Sequence, residues 1–322
     1  MKQILLMMPS YYNFDEVIKE GLIKYSGFKV NSIDTSLSYK NIFERGLNFL
    51  SKVFLSKNLK SKMRDKLLCT GINKFSAYEY LVVNRPDIIH IDILEAAIKK
   101  SKTAVLFLWD SQEKMPTDKE IINKFDIVYS FDIEDCKRYG FQKIENFHFF
   151  ESSPSHVIEY DAAFFGSLDG RIGDLKKVLN YLSENNKKGH AYISIPKGEC
   201  LEKHPDIEIL DKIIPYKASY KYAMRGNTII DLGHKHQNGL SFRFFEAMAF
   251  KKKIITTNKQ VAHYDFYNEN NILIIEDIDH LTIPNSFWEL PYEDLPTTVL
   301  EKYHIKNWVK RILNKKNSQL TI

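Results

Sequence analysis

Residues 231–258 read DLGHKHQNGLSFRFFEAMAFKKKIITTN, and this stretch decides the fold. It opens at Asp231 on the end of an apolar strand, crosses a polar loop containing Gly239, and enters a helix-forming run from Ser241 to Phe250. KKKIITTN then reads as another buried strand. Strand, loop, helix and strand in that order make a βαβ unit with parallel strands. At the start of its helix, the free amide N–H groups of Gly239, Leu240 and Ser241 point toward an anion. Glu246 follows one to two turns later, on the face reached from the loop by steps of four to seven. A carboxylate there is placed to accept two hydrogen bonds from ribose hydroxyls lying beside a phosphate. The same spacing also allows an ordinary amphipathic helix with Glu246 facing solvent.

Working outward, short apolar runs alternate with amphipathic ones along the whole chain, as βα units around parallel sheets do. In the first half, strands are predicted at Gln3–Met8, Lys29–Ile33, Asp87–Ile93, Thr103–Trp109, Phe125–Ser130 and Ile144–Phe149. One helix runs through Val17 to Tyr25. Another is capped by Asp132 and closed by Gly140. The polar, proline-containing ESSPSH at 151–156 marks a domain junction, after which periodicity restarts. Strands then follow at Asp161–Phe165, Ala191–Ile195, Ile207–Leu210, Thr228–Asp231, Lys253–Thr257 and Asn271–Ile275. Helices are predicted at Ile172–Ser183, Tyr220–Arg225, Ser241–Phe250 and Thr297–Leu313. The expected fold class is α/β, with two Rossmann-like domains (1–152 and 153–322) facing across a cleft that suits a large polar substrate.

Composition agrees with a globular protein: of 322 residues, 44% are hydrophobic and 27% charged. Three scattered cysteines, Cys69, Cys136 and Cys200, exclude a disulfide framework or a zinc cluster and suit a reducing compartment. No run approaches the roughly 20 apolar residues of a membrane span, and the apolar N-terminus leads into a polar loop with no cleavage signal. Cytoplasmic location is the expectation. The net charge of +5 is concentrated in one place: residues 40–66 hold eight cations against two acids, which leaves the remainder near neutral. Phe43, Leu47, Leu50 and Phe54 recur there at helical spacing among the lysines and arginines. Such a helix either packs on the core with a solvated basic face or rests on an anionic membrane. No recognised nucleic-acid module is present.

The quoted stretch resembles the C-terminal nucleotide-sugar motif of bacterial GT-B glycosyltransferases, particularly the group 1 enzymes of lipopolysaccharide and capsule assembly. FEAMAFKKKIITTN carries the resemblance, and HYDFYNENNILII, FDIVYSFDIEDCKRYGF and DAAFFGSLDGR extend it over most of the chain. The resemblance implies two domains. The first takes a glycan or lipid-linked acceptor, the second takes a UDP- or GDP-sugar, and the last helix packs back on the first domain. It implies transfer of a hexose without a metal cofactor and with retention. Many retaining members carry two glutamates eight residues apart. The second matches Glu246, whereas the first position here is Asn238, which leaves the stereochemical outcome open. Gly166, Ser167, Arg171 and Lys176 are similar to the phosphate-clamping segment of that group, and the leaving diphosphate needs such cations.

The remaining candidates follow from position. Arg243 either reaches a phosphate or pairs with a carboxylate. His236, with His234 beside Lys235, either contacts the donor or sits in a plain loop; two such residues are too few for a metal site. Tyr216 either stacks on the base or packs in the core. On the acceptor side, Ser10, Tyr11 and Asp92 sit at expected strand ends. Asp110, after the apolar LFLW, is the first choice for a general base, with a turn cap as its other reading. The function read is glycosyl transfer to a surface glycan. Its rivals are a nucleotide-sugar epimerase or hydrolase on the same fold, and a non-catalytic binder.

Overall fold

A computed structural model describes residues 2–36, 59–151, 157–167, 170–195, 201–234 and 238–314. It contains two six-stranded sheets, each parallel throughout. The first sheet has the order β2-β1-β3-β4-β5-β6, built from Gln3–Met8, Lys29–Asp34, Tyr80–Val83, Ala104–Leu108, Ile127–Ser130 and Gln142–Lys143 for β1 to β6. The second has the order β12-β11-β10-β7-β8-β9. Its strands β7 to β12 are Tyr160–Ser167, Gly189–Ser194, Ile207–Leu210, Gly226–Asp231, Lys253–Thr256 and Ile272–Ile274. Among the described residues the helices, α1 to α11, are Phe14–Ser26, Leu59–Ile72, Ile91–Lys99, Lys119–Ile122, Ile133–Tyr139, Ile172–Glu184, Tyr216–Ala223, Phe242–Phe250, Asn285–Glu289, Thr297–Lys302 and Ile305–Ile312. The α/β class with two Rossmann-like sheets is therefore as expected.

Both faces of each sheet are covered, which explains the near-continuous apolar strands. In β10, Ile230 packs with Leu175, Val178 and Ile193 on one face, while Ile229 packs with Leu240, Phe244, Phe245 and Ile254 on the other. In β1, Leu5 and Met7 join one core cluster and the buried Ile4, Leu6 and Met8 alternate with them.

Three expected elements differ. DIIHIDI (87–93) is no strand: Pro86–Ile88 forms a 3-10 turn and the helix α3 begins at Ile91. Ile93, Leu94 and Ala97 are its buried side chains, so helical spacing that runs on past residue 93 overrides the local alternation. The third strand is instead the short YLVV at 80–83. The expected helix Thr297–Leu313 breaks at Tyr303–His304, because the Tyr303 carbonyl accepts from His148 N–H and the His148 carbonyl accepts from Ile305 N–H.

The chain separates into two compact units, 1–130 with 135–143 and 309–322, and 131–134 with 144–308. The division falls at 143/144, ahead of the expected junction in 151–156. Ile144–Phe149 is also no strand of the first sheet. The reason is that Phe147 packs on Phe242 and Trp308, and the Asn146 amide donates to the Leu240 carbonyl at 2.9 Å, within the second unit. In the first unit, the Tyr129 hydroxyl donates to the carbonyl of Arg311 at 2.9 Å. Of the basic segment 40–66, residues up to 58 lie outside the described residues, and the remainder begins α2. Among the described residues no helix is long and apolar enough to cross a membrane.

His148 is buried, and its Nε2 lies 3.0 Å from the Leu300 carbonyl, which requires the proton on Nε2. Burial pulls its pKa down from 6.5 to about 4. Below pH 6.5 the unfolded chain takes up this proton while the folded chain resists, so stability falls with pH until the folded pKa is reached. The contribution lost between pH 6.5 and 4 is on the order of 3 kcal/mol. Urea unfolding across that range is expected to show the slope in the wild type and a flatter one in His148→Gln.

Candidate functional site

In the second sheet the chain leaves β7 toward one edge and β10 toward the other, so β7 and β10 flank the topological switch point. Ligands of open parallel sheets bind beyond the carboxyl ends of such strands. Gly166 and Ser167 close β7 and Arg171 follows them just before α6, while the loop after β10 leads through Asn238 to the helix α8. The topology thus joins two segments some sixty residues apart.

Asp231, the last residue of β10, organises the place. Its side chain is buried, and it accepts hydrogen bonds from Ser241 Oγ at 2.6 Å and Thr256 Oγ1 at 3.1 Å. Burial raises its pKa, against the pull of these hydroxyls and of the nearby Arg171 and Arg243 charges. Ser241 is also the N-cap of α8 and accepts from the Arg243 amide at 3.2 Å. One hydroxyl therefore fixes the helix terminus to the strand end.

The loop before the helix is clamped from three sides. The Asn238 backbone N–H donates to Asp132 Oδ2 at 2.9 Å, and Asp132 Oδ1 caps the turn at Glu134. The Asn258 side chain donates to the Gly239 carbonyl at 3.3 Å, and Asn146 holds the Leu240 carbonyl. Gly239 is a glycine because of close approach: a Cβ there would lie 2.2 Å from the Phe131 ring and 2.9 Å from the Phe131 carbonyl oxygen.

Glu246 is 1% exposed, which removes the reading in which it faces solvent. Its Oε2 accepts from Arg243 Nη1, one turn earlier, in an ion pair. Its Oε1 is buried with no hydrogen-bond partner among the described residues. Burial first, and then the Glu246 charge, push the Tyr216 phenol well above its ordinary pKa, so that hydroxyl sits beside the carboxylate. The Tyr216 ring packs on Phe149 and Phe242, at 5.8 and 5.5 Å between centroids. Packing, rather than an open stacking face, is what the structure gives it.

Arg171 precedes α6, and its Nη1 donates to the Leu232 carbonyl at 2.8 Å. Lys176, one turn into α6, is engaged elsewhere, paired with Glu202 at 2.7 Å. A Cβ on Gly166 would lie 2.7 Å from the Phe164 ring, so that position too is kept small. His236 lies outside the described residues.

The first unit has its own switch point, between β1 and β3. Ser10 follows β1; its Oγ donates to the buried Asp15 at 2.7 Å and its amide to Asp34 at 2.9 Å. Tyr11 is 46% exposed. Asp110 pairs with Lys114 at 2.8 Å, one turn on. Asp92 does not end a strand: it lies in the first turn of α3, exposed and beside His90, because the segment is helical. Arg85, which the sequence reading missed along with its strand, donates to Asp87 at 2.8 and 2.7 Å. Asp87, with smaller effects from Tyr11 and Asp110, raises the Arg85 pKa, so the loops after β1, β3 and β4 converge. Tyr12, Asn13 and Arg85 all take left-handed φ near 55° at these strand ends. Non-glycine residues hold that conformation at a cost of roughly 1–2 kcal/mol each.

No protein-family model matches the chain, and no curated protein matches it in sequence. Solved structures do. The chain is similar to HepE of Anabaena in complex with UDP and glucose (TM-score 0.57, 10% identity, 99% of this chain and 100% of that one). It is similar to OtsA in its apo form (TM-score 0.56, 11% identity, 100% of both chains). It is also similar to a glycosyltransferase from Rickettsia africae (TM-score 0.50, 12% identity, 98% and 99%). At such identities the likeness shows the fold, and the fold is that of GT-B glycosyltransferases.

The close approach at Gly239 sets a test. Gly239→Ala is expected to lower stability by about 1–3 kcal/mol, since the Phe131 carbonyl cannot swing away as a side-chain end would. Urea denaturation measures this, and a variant as stable as wild type would show that the loop is not held against Phe131.

Proposed function

We propose that the protein is a glycosyltransferase whose second unit binds a nucleotide-sugar donor, UDP- or GDP-linked, and whose first unit presents a glycan acceptor. The observation that carries this reading is the buried Glu246 carboxylate with one unpartnered oxygen, set one turn inside a helix whose N-terminus faces the switch point. A buried acceptor of this kind calls for hydroxyl donors. The ribose supplies them when the diphosphate lies on the amides of Gly239 to Ser241.

In the transfer, the bond from the sugar C1 to the β-phosphate oxygen breaks and its electron pair stays on the phosphate. An acceptor hydroxyl oxygen bonds to C1, and its proton passes to the departing phosphate oxygen, with retention at C1. Arg171, Arg243 and the helix terminus offset the charge that develops, with no metal in the scheme. Lys176 has a smaller part, since reaching a phosphate means leaving Glu202. Ser10, Tyr11 and Asp110 stand at the carboxyl end of the first sheet, where the acceptor is oriented. The acceptor we read is a surface polysaccharide or its lipid-linked precursor, with the basic segment 40–66 meeting the anionic membrane that carries it.

Titration of the wild type with UDP and GDP, followed by Glu246→Gln and Glu246→Ala, tests the donor site. Loss of the hydrogen bonds to the carboxylate is expected to weaken binding about 10- to 100-fold. An unchanged dissociation constant overturns the assignment. Sugar release from the donor without any acceptor would mark a hydrolase instead.

A further inference from the structure

The Arg243–Glu246 pair invites a question that donor binding alone does not answer. The guanidinium carries five N–H donors in a planar fork, and its hydrogen bond to Glu246 is made through Nη1. Its side chain is 16% exposed, against 1% for the glutamate. It lies 5.2 Å from the Phe165 ring, next to Gly166 at the end of β7, and its charge is felt by Asp231 at the end of β10. Arg243 therefore stands between the ribose acceptor and the phosphate end of the switch point.

We infer that Arg243 exchanges partners when the donor binds, turning from Glu246 to the diphosphate as the ribose hydroxyls take its place on the carboxylate, and so makes the site selective for a nucleoside joined to a diphosphate. The inference rests on the donor reading above. Its physical basis is that a buried carboxylate is strongly destabilised when the cation paired with it leaves. Pyrophosphate alone would draw Arg243 away and leave Glu246 bare. A nucleoside alone finds one carboxylate oxygen already occupied by arginine. Both halves together complete the exchange: two hydroxyls satisfy Glu246, and the guanidinium fork meets phosphate oxygens in the paired geometry that suits it. Arg243 acts here as a specificity-determining residue. Glu246 and the helix terminus supply the contacts that the exchange makes available.

The test is calorimetric titration of the wild type, Arg243→Met and Arg243→Lys with nucleoside, pyrophosphate and nucleoside diphosphate, using uridine or guanosine compounds according to which the wild type binds. In Arg243→Met the diphosphate is expected to weaken at least tenfold, while the nucleoside binds as well as before or better. Arg243→Lys is expected to fall between the two for the diphosphate, since it keeps the charge and loses the fork. It also provides the readout if the methionine variant does not fold. Equal losses for nucleoside and nucleoside diphosphate would overturn the exchange and reduce the pair to a structural bridge. A wild type that binds neither UDP nor GDP would instead defeat the donor reading itself.

Discussion

Asp231 is the constraint on which the second unit's site depends. It ends a central strand, where its carboxylate is out of water, and such a group is tolerable only when its oxygens are satisfied. The two hydroxyls that satisfy it come from the helix cap, Ser241, and from the end of the neighbouring strand, Thr256. Three elements are thereby fixed at one point by short-range bonds rather than by loop stiffness. The Ser241 hydroxyl donates to Asp231 while accepting from the Arg243 amide, so the direction in which the α8 N-terminus points follows from the position of one carboxylate.

The strands were largely legible because both faces of each sheet are buried, which leaves apolar runs that need no partner to be recognised. Gln3–Met8 and Ile207–Leu210 have the bounds that the sequence reading assigns. What was not legible is what depends on distant partners. YLVV at 80–83 is too short to stand out, and it becomes a strand because β1 and β4 lie on either side of it. The break at Tyr303–His304 exists because His148, some 150 residues earlier, pairs with the backbone there. Neither event leaves a local mark.

The same division holds within the site. Gly239 to Glu246 was readable as a loop and helix start, since cap, glycine and acid lie within one window. The clamps from Asn146 and Asp132 were not, because they arrive from other parts of the chain. A signal did exist for two of the anchors. Neighbouring parallel strands end side by side, so a Thr-Thr-Asn closing the strand after α8 had to lie next to Asp231. The burial of Glu246 had no such signal, because its helix shows phenylalanines on more than one side.

That burial bears on why the pair is there at all. A helix whose other buried side chains are Phe244, Phe245, Ala247, Met248 and Phe250 would pack as well with aliphatic residues at 243 and 246. Replacing a buried ion pair by apolar residues of similar volume is often neutral, or stabilising by about 1–4 kcal/mol. Core stability therefore gives no reason for an acid at 246. Arg243 engages the carboxylate through Oε2 alone, with the Tyr216 hydroxyl beside it, so the pair lacks the bidentate geometry by which a guanidinium satisfies both oxygens at once. An anion kept out of water, half satisfied by a cation that is itself partly exposed, is a poor brace. On the donor reading proposed above, it suits a ligand that brings hydroxyls to one partner and phosphate to the other.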